Sequence, residues 1–256
     1  MPEGTWFDLR GKRALVTGGS RGIGGATSRL LAACGADVIV TYRTRQADAE
    51  GVVSALRAMG RRAEAHAVEL SDRTAVDALF ARVTREWGGL DCFVGNAGIW
   101  PVDEVPVSAL PDERWRRTIA ENVDGMFYST RAALRCMGEG GRVVLVSSTA
   151  GQRGEAMHAD YAASKGAMIS FVKSVAIEVA AAGITVNSVA PGWVDTEMCA
   201  EPLAGSGQAR IARGIPVGRV ATPDDIAAPI VFLCTPAARH ITGEILNVNG
   251  GSVLCG

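Results

Sequence analysis

Short apolar runs alternate with longer amphipathic segments along almost the whole chain. Most of the short runs are apolar at nearly every position, as expected of strands that a parallel sheet buries on both faces. The longer segments repeat apolar residues at helical spacing, and several of them end at a glycine. The predicted strands are 12–17, 37–42, 62–68, 90–95, 142–147, 184–190 and 244–248. The predicted helices are 22–34, 47–59, 74–87, 113–137, 160–182 and 223–234.

This alternation predicts an α/β fold over residues 1–256. Right-handed crossovers between parallel strands give a doubly wound, Rossmann-type domain, with a seven-stranded parallel sheet and helices on both faces. No linker, composition shift or internal repeat divides the chain, so we expect a single domain.

Composition narrows the class of protein. The chain has 256 residues, of which 48% are hydrophobic, and a net charge of −1, so nucleic acid is not an expected partner. The most apolar stretch, 226–234, is too short to span a bilayer, so no membrane association is expected. Six cysteines without a Cys-x-x-Cys pair and three scattered histidines predict neither disulfides nor a metal site. We therefore expect a soluble cytoplasmic protein.

A glycine-rich turn, TGGSRGIG at 17–24, joins the first predicted strand to the first predicted helix. Gly18, Gly22 and Gly24 would permit a tight turn, a close approach of the backbone to a pyrophosphate and close packing of helix on strand. The helix N-terminus would then offer free N–H groups to phosphates. The alternative is a glycine-rich turn that binds nothing, but its place after the first strand favours a dinucleotide site.

Tyr161 and Lys165 lie four residues apart on a predicted helix and therefore on one face of it. An ammonium close to a phenol favours the phenolate, so this spacing predicts a lowered pKa for Tyr161 and a role in proton transfer. The alternative is a solvated lysine beside a packed tyrosine.

Seven short motifs together resemble those of the short-chain dehydrogenase/reductase family over residues 11–251. They are TGGSRGIG at 17–24, NAG at 96–98, Asn122 in ENVDG, Ser148 in VSSTAG, YAASK at 161–165, PG at 191–192 and TGEILNVNGG at 242–251. Among family members the chain is most similar to the 3-oxoacyl-carrier-protein reductases. The resemblance implies hydride transfer between a nicotinamide and a carbonyl or secondary alcohol, and a homotetramer.

The resemblance also implies a catalytic set of Asn122, Ser148, Tyr161 and Lys165. Ser148 would donate to the substrate oxygen, and Tyr161 would exchange a proton with it. Lys165 would lower the pKa of Tyr161 and hold the nicotinamide ribose. Asn122 would hold a water that links Lys165 to solvent.

Charge at the end of the second strand indicates the cofactor. Tyr42, Arg43 and Thr44 stand where NAD enzymes usually place an acid, and Arg21 adds a cation from the glycine loop. We therefore expect NADP(H), with NAD(H) possible. The cofactor contacts implied by the resemblance are Gly18, Ser20, Arg21, Gly22, Ile23, Gly24, Arg43, Thr44, Glu69, Leu70, Asn96, Ala97, Gly98, Tyr161, Lys165, Pro191, Gly192, Val194 and Thr196. Glu69 departs from the family's aspartate at the adenine.

Residues 197–216 would form a mobile lid over the substrate, with apolar cover from Met198, Leu203 and Ile211. The candidate rim residues are Arg153, Glu155, Met157, His158 and Trp193, of which Arg153 and Glu155 are interpreted as solvated loop residues.

Three functions stay open. Glu139 and Ala182 stand where carrier-protein reductases tend to carry basic residues, which weakens the case for an acidic carrier. A 3-oxoacyl-thioester reductase therefore competes with a small-ketone reductase or secondary-alcohol dehydrogenase. A catalytically silent dinucleotide sensor is the third hypothesis.

Overall fold

The computed structural model describes residues 6–255. Within that range, seven strands lie side by side in one all-parallel sheet. The strands are β1 (Arg13–Val16), β2 (Asp37–Tyr42), β3 (Ala63–Ala67), β4 (Leu90–Gly95), β5 (Met137–Val146), β6 (Thr185–Pro191) and β7 (Ile245–Val248). The order across the sheet is β3-β2-β1-β4-β5-β6-β7. This is the doubly wound sheet that the apolar runs predict, and the predicted fold is confirmed.

Helices cover both faces of the sheet because successive strand residues point to opposite sides. The helices are α1 (Gly22–Ala33), α2 (Gln46–Ala58), α3 (Arg73–Trp87), α4 (Asp112–Ile119), α5 (Gly125–Cys136), α6 (Thr149–Arg153), α7 (Ala159–Val179), α8 (Ala200–Leu203), α9 (Gly207–Ala212) and α10 (Pro223–Cys234). In β2, Val38 and Val40 face one apolar core with α1, α2 and α10, whereas Ile39 faces a second core with α3, α5 and α7. Within residues 6–255, no helix combines the length and hydropathy needed to cross a bilayer.

The order of the strands reverses between β1 and β4. The chain moves outward from β1 to β3 and then returns to β4 on the other side of β1, where Val16 pairs with Val94. The loops that follow these two strands therefore diverge and leave a crevice at the carboxyl edge of the sheet.

The structure differs from the predicted elements mainly in one long helix. The segment predicted as one helix over 113–137 comprises α4, a π-helical turn at Ala120–Asp124, and α5. A single wide turn leaves the apolar spacing on each side nearly unchanged, so periodicity cannot detect it. The five-residue α6 was also missed, since it is too short to show a helical period. The predicted lid contains α8 and α9.

Helix α6 lies unusually close to α7. A methyl group at Gly151 would lie 2.5 Å from the carbonyl carbon of Lys165 and 2.7 Å from the amide nitrogen of Gly166. Only glycine fits this contact. The contact therefore sets the distance between α7 and the end of β5, the strand that precedes α6.

We expect Gly151→Ala to force α6 away from α7 and to lower the free energy of unfolding by about 1–3 kcal/mol. Urea denaturation measures this change. Gly51→Ala is the control, because Gly51 lies in α2 with no atom within 4 Å of the added methyl group. The control should gain up to about 1 kcal/mol from helix propensity. An unchanged midpoint for Gly151→Ala would contradict the close contact.

Candidate active site

Ser148 follows β5 and is the N-cap of α6. Its backbone is extended, with φ −168°, and its hydroxyl oxygen accepts a hydrogen bond from the amide of Ala150 at 3.1 Å. Because the oxygen is held as an acceptor, the hydroxyl proton remains available to a second partner. Tyr161 lies within hydrogen-bonding reach of this hydroxyl.

Lys165 joins α7 to the end of β5. Its side chain is only 5% exposed, and its ammonium donates to the carbonyl oxygen of Val146 at 2.8 Å. The ammonium lies 5.8 Å from the centre of the Tyr161 ring. The structure therefore brings Ser148, Tyr161 and Lys165 together, as the motifs predict.

The prediction that Lys165 lowers the pKa of Tyr161 is wrong for this structure. Burial raises the pKa of Tyr161 well above its usual value, and the hydrogen bond from Ser148 opposes this only in part. Burial also lowers the pKa of Lys165 to about 8. A low-dielectric site disfavours both the phenolate and the ammonium, and burial is the largest cause of both shifts. Tyr161 is thus held as a neutral phenol, the form that can donate a proton.

Asn122 lies fully buried in the π-helical turn and uses both ends of its amide. Its oxygen accepts from the amide of Ile99 at 2.8 Å, and its nitrogen donates to the carbonyl of Ile99 at 2.9 Å and to the hydroxyl of Ser164 at 3.0 Å. Asn122 therefore clamps the segment after β4 to α7. A methyl group at Gly98 would lie 3.0 Å from the Asn122 oxygen and 3.4 Å from the Lys165 nitrogen, so Gly98 keeps the space between them open.

The glycine loop is shaped to receive phosphates. A methyl group at Gly24 would lie 2.2 Å from the carbonyl oxygen of Gly18, so α1 begins directly against the loop. Gly18 and Gly22 have positive φ angles of 62° and 51°. Arg21, the N-cap of α1, provides no side-chain hydrogen bond to the first turn. The loop and the uncapped helix end thus form a cradle that fits a pyrophosphate.

Asn96 ties the end of β4 to this loop. Its side-chain nitrogen donates to the carbonyls of Thr17 at 3.0 Å and Gly18 at 3.2 Å. The amide of Ala97 donates to the Thr17 hydroxyl at 3.0 Å. Both strands that border the crevice therefore contribute to one rigid edge. Ser20 is buried within the loop, and Ile23 packs against the core behind it.

Three arginines gather at the β2 side of the crevice, and each is paired with a carboxylate. Arg43 lies 2.7 Å from Glu121 and 3.7 Å from Glu69. Arg21 pairs with Glu197.

Arg45 also pairs with Glu197, at 3.4 Å, and was missed in the sequence although it stands only two residues after Arg43. Glu121 was missed because it belongs to a distant helix. Thr44 is exposed beside these residues, and Leu70 packs against Gly125.

The segment after β6 approaches the glycine loop from the opposite side. Gly192 donates to the carbonyl of Val248 at 3.3 Å just after Pro191 ends β6, and Val194 is buried where it pairs with Ala221. The methyl group of Thr196 lies 3.4 Å from the position that a Gly22 side chain would occupy. The segment after β6 therefore lies directly beside the glycine loop.

A cavity of about 90 Å³ opens beside Ser148 and Tyr161. Its other lining residues are Trp100, Thr149, Ala150, Arg153, Glu155, Gly192, Trp193, Met198 and Cys199. Arg153 and Glu155, interpreted from the sequence as solvated loop residues, both line this cavity. Arg153 is exposed, as expected, but it ends α6, whereas Glu155 is partly buried. Trp100 and Cys199 were missed, since only the folded chain brings them to Tyr161.

Aromatic side chains form one wall of this cavity. Trp100 meets Trp193 edge to face at 5.9 Å and stacks on buried His158 at 5.0 Å. Burial raises the pKa of Glu155, although His158 and a hydrogen bond from Trp100 oppose the shift. Met157 is exposed, with a φ of 68°, and does not line the cavity.

The apolar residues of the lid lie in and behind the cavity wall. Met198 lines the cavity, whereas Leu203 and Ile211 pack with Ile215 and Val220 in a cluster that also contacts Trp193 and Cys199 of the wall. Among residues 6–255, no group of three or more His, Cys, Asp or Glu side chains could hold a metal ion.

A phosphate cradle at the strand reversal, next to a serine, a neutral tyrosine and a buried lysine, defines a dinucleotide-dependent oxidoreductase. Residues 18–252 match the family model described as enoyl-(acyl carrier protein) reductase. The 3-oxoacyl-acyl-carrier-protein reductase of Vibrio harveyi is 39% identical over 248 residues, covering 96% of this chain and 98% of the relative. The cis-4-hydroxycyclohexanecarboxylate dehydrogenase of Sinomonas cyclohexanicum is 40% identical over 240 residues, covering 93% and 95%.

A solved structure shows the same fold. The short-chain dehydrogenase from Burkholderia cenocepacia J2315 in complex with NADP matches with a TM-score of 0.90 and 40% identity, covering 95% of this chain and 98% of that one. The chain therefore belongs to the short-chain dehydrogenase/reductase family, and the resemblance on which its motifs were interpreted is confirmed.

The depressed pKa of Lys165 gives an expected pH dependence of stability. Up to about pH 8 the folded protein bears the cost of a buried ammonium. Between about pH 8 and the ordinary lysine value of 10.5, the folded protein releases this proton while the unfolded chain keeps it. The unfolded state then binds more protons, so stability rises with pH.

Between about pH 8 and 10.5, we therefore expect the free energy of unfolding of the wild type to rise by roughly 1–3 kcal/mol more than that of Lys165→Met. Urea denaturation at a series of pH values measures the difference. Lys173→Met, which changes an exposed lysine of the same helix, should show no such trend. Parallel curves for wild type and Lys165→Met would contradict the assigned shift.

Proposed function

We propose that the chain uses NADPH to reduce the 3-oxo carbonyl of an acyl thioester. The observation that carries this proposal is the meeting of the Tyr161 phenol, the Ser148 hydroxyl and the buried Lys165 ammonium beside a cavity. A protonated tyrosine is the form that carbonyl reduction requires, because the carbonyl oxygen must gain a proton. The match to carrier-protein reductases over nearly the whole chain supports this substrate class.

Each side chain of the site has its own role in the reduction. The dinucleotide supplies the hydride. Ser148 donates its free hydroxyl proton to the substrate carbonyl and stabilises the negative charge that develops on the oxygen. Tyr161 then transfers its proton to that oxygen. Lys165, whose pKa of about 8 lies close to neutral pH, can return a proton to the site and hold the nicotinamide ribose. Asn122 keeps the segment after β4 in place and would hold the water that links Lys165 to solvent.

The crevice supports NADP(H) over NAD(H). Arg21, Arg43 and Arg45 place three guanidinium groups at the end of β2, where a 2′-phosphate would lie and could replace their present carboxylate partners. The NADP complex of the Burkholderia relative agrees with this. Around the rest of the cofactor, Glu69 and Leu70 would border the adenine. Asn96, Ala97 and Gly98 would border the ribose, and Pro191, Gly192, Val194 and Thr196 the nicotinamide.

The wall of the cavity supports a second candidate function. Trp100 and Trp193 meet edge to face and give an aromatic wall against which a compact ring ketone can pack. The similarity to a dehydrogenase of a cyclohexane carboxylic acid points the same way. The two candidate functions share the chemistry of Tyr161 and differ in what Trp100 and Trp193 contact.

The two functions can be separated by following NADPH oxidation with acetoacetyl-CoA and with 4-oxocyclohexanecarboxylate. We expect a kcat/KM at least about tenfold higher for the thioester, and Tyr161→Phe should lose about 10²–10⁴-fold in kcat while binding NADPH as the wild type does. Tyr128→Phe, which removes a phenol hydroxyl away from the site, should keep full activity.

A higher kcat/KM for the ring ketone would favour the second function. Tight NADPH binding without turnover of either compound would favour a dinucleotide sensor. An active Tyr161→Phe protein would overturn the assignment of the proton donor.

The surface supports a homotetramer in the cytoplasm. Helices α4, α5 and α7 expose Trp115, Phe127 and Ile177, and Ile177 is 81% exposed. Next to Phe127, two guanidinium nitrogens of Arg131 are buried without a hydrogen-bond partner in the described part of the chain. Apolar residues and an unsatisfied cation on adjacent helices are typical of an interface. The free cysteine thiols fit a reducing compartment.

We expect Ile177→Glu to break this interface and to yield a species smaller than a tetramer with native circular dichroism. Light scattering after size exclusion measures the mass. Val107→Glu changes a residue that is 72% exposed outside these helices and should leave the mass unchanged. A wild type that is monomeric, or a variant that stays tetrameric, would refute the interface.

A further inference from the structure

Glu197, the first residue of the lid, lies between two arginines from separate parts of the chain. Its Oε2 atom pairs with Nη1 of Arg21, in the glycine loop, and lies 3.4 Å from Nη2 of Arg45, the N-cap of α2. The three residues are far apart in the sequence, so the fold itself brings one carboxylate to two guanidinium groups.

This arrangement resembles an arginine site for a phosphate. Two guanidinium groups that converge on one oxygen suit a dianionic phosphate better than a single carboxylate. Both arginines lie beside the end of β2 and the glycine loop, where a doubly wound fold binds the ribose of a dinucleotide. Glu197 therefore occupies a position that a ribose 2′-phosphate would compete for.

Arg43 is not part of this pair. Its guanidinium is held by Glu121 at 2.7 Å and Glu69 at 3.7 Å, on the side of the interrupted helix. The competition thus concerns Arg21 and Arg45, and Arg43 provides a separate cation nearby.

The residues that flank Glu197 connect this ion pair to the substrate cavity. The preceding residue, Thr196, contacts the glycine loop at Gly22, and the two following residues, Met198 and Cys199, line the cavity next to Tyr161. A movement of Glu197 away from the arginines would therefore change the wall of the cavity.

The ion pairs of Glu197 are weak enough to be exchanged. The side chains of Arg21, Arg45 and Glu197 are all about half exposed, and exposed ion pairs contribute little to stability. A phosphate with two negative charges can displace such a carboxylate, whereas a ribose hydroxyl cannot.

We propose that Glu197 is a latch that competes with the 2′-phosphate of NADP(H) for Arg21 and Arg45, so that NADP(H), but not NAD(H), releases the first turn of the lid. This inference rests on the proposed NADP(H)-dependent function. It makes Glu197 a positioning residue, which acts on cofactor selectivity and on the lid through the two arginines.

The first test compares cofactor affinities by isothermal titration calorimetry. Glu197→Gln keeps the shape of the side chain but removes its charge, so NADPH should bind roughly 3–10-fold tighter and NADH within about twofold of wild type. Glu201→Gln is the matched control, because Glu201 is an exposed acid of α8 away from the arginines, and it should change neither affinity. An equal gain for both cofactors, no gain, or weaker NADPH binding would overturn the latch.

The second test follows amide hydrogen exchange in residues 197–212. In the wild type, 2′,5′-ADP should speed exchange there, whereas 5′-AMP should not. Glu197→Gln should exchange fast with either ligand or with neither present. If 2′,5′-ADP does not bind at all, the proposed NADP(H) dependence fails. If it binds but the exchange and the Glu197→Gln affinity stay unchanged, only the latch fails.

Discussion

The hydrogen bond from the Lys165 ammonium to the Val146 carbonyl is the contact on which the active site depends. A buried ammonium is costly unless it is hydrogen-bonded, and the last carbonyl of β5 supplies an acceptor where the strand ends. This contact fixes both the depth and the rotation of α7. Tyr161 lies one turn before Lys165 and Ser148 two residues after Val146, so the two hydroxyl groups meet as a consequence. Gly151 permits the close approach of α6 to α7 that this geometry requires.

The same burial sets the chemistry of the site. It raises the pKa of Tyr161 and lowers that of Lys165, so both groups tend toward their neutral forms. Asn122 completes the buried set, because its amide holds Ile99 through two hydrogen bonds and reaches α7 through Ser164. The ends of β4 and β5 are therefore both connected to α7. The π-helical turn at Asn122 serves this arrangement, because the wider turn places the Asn122 side chain toward α7 and the strand ends.

Much of the fold could be predicted from the sequence, because strand and helix periods are local properties and the motifs are short strings. The seven parallel strands, the glycine loop and the meeting of Ser148, Tyr161 and Lys165 are of this kind. The direction of the Tyr161 pKa shift could not be predicted, because helical spacing shows that an ammonium is near but not how deeply the phenol and the ammonium are buried. The positions of Trp100 and Glu155 in the cavity depend on how distant loops converge, which no local pattern contains.

The two ends of the crevice are held by different kinds of electrostatic interaction. At the chemical end, Lys165 and Asn122 are buried and hydrogen-bonded to the backbone, so their geometry is stiff and a change there disturbs packing. At the phosphate end, Arg21, Arg45 and Glu197 are exposed, and their ion pairs can exchange partners at little cost. On the proposed cofactor role of these charges, we expect substitutions among them to alter which cofactor is preferred while the buried set keeps its arrangement. Because the segment from Thr196 to Cys199 touches both ends, it is the part of the chain through which cofactor recognition and the substrate cavity can affect each other.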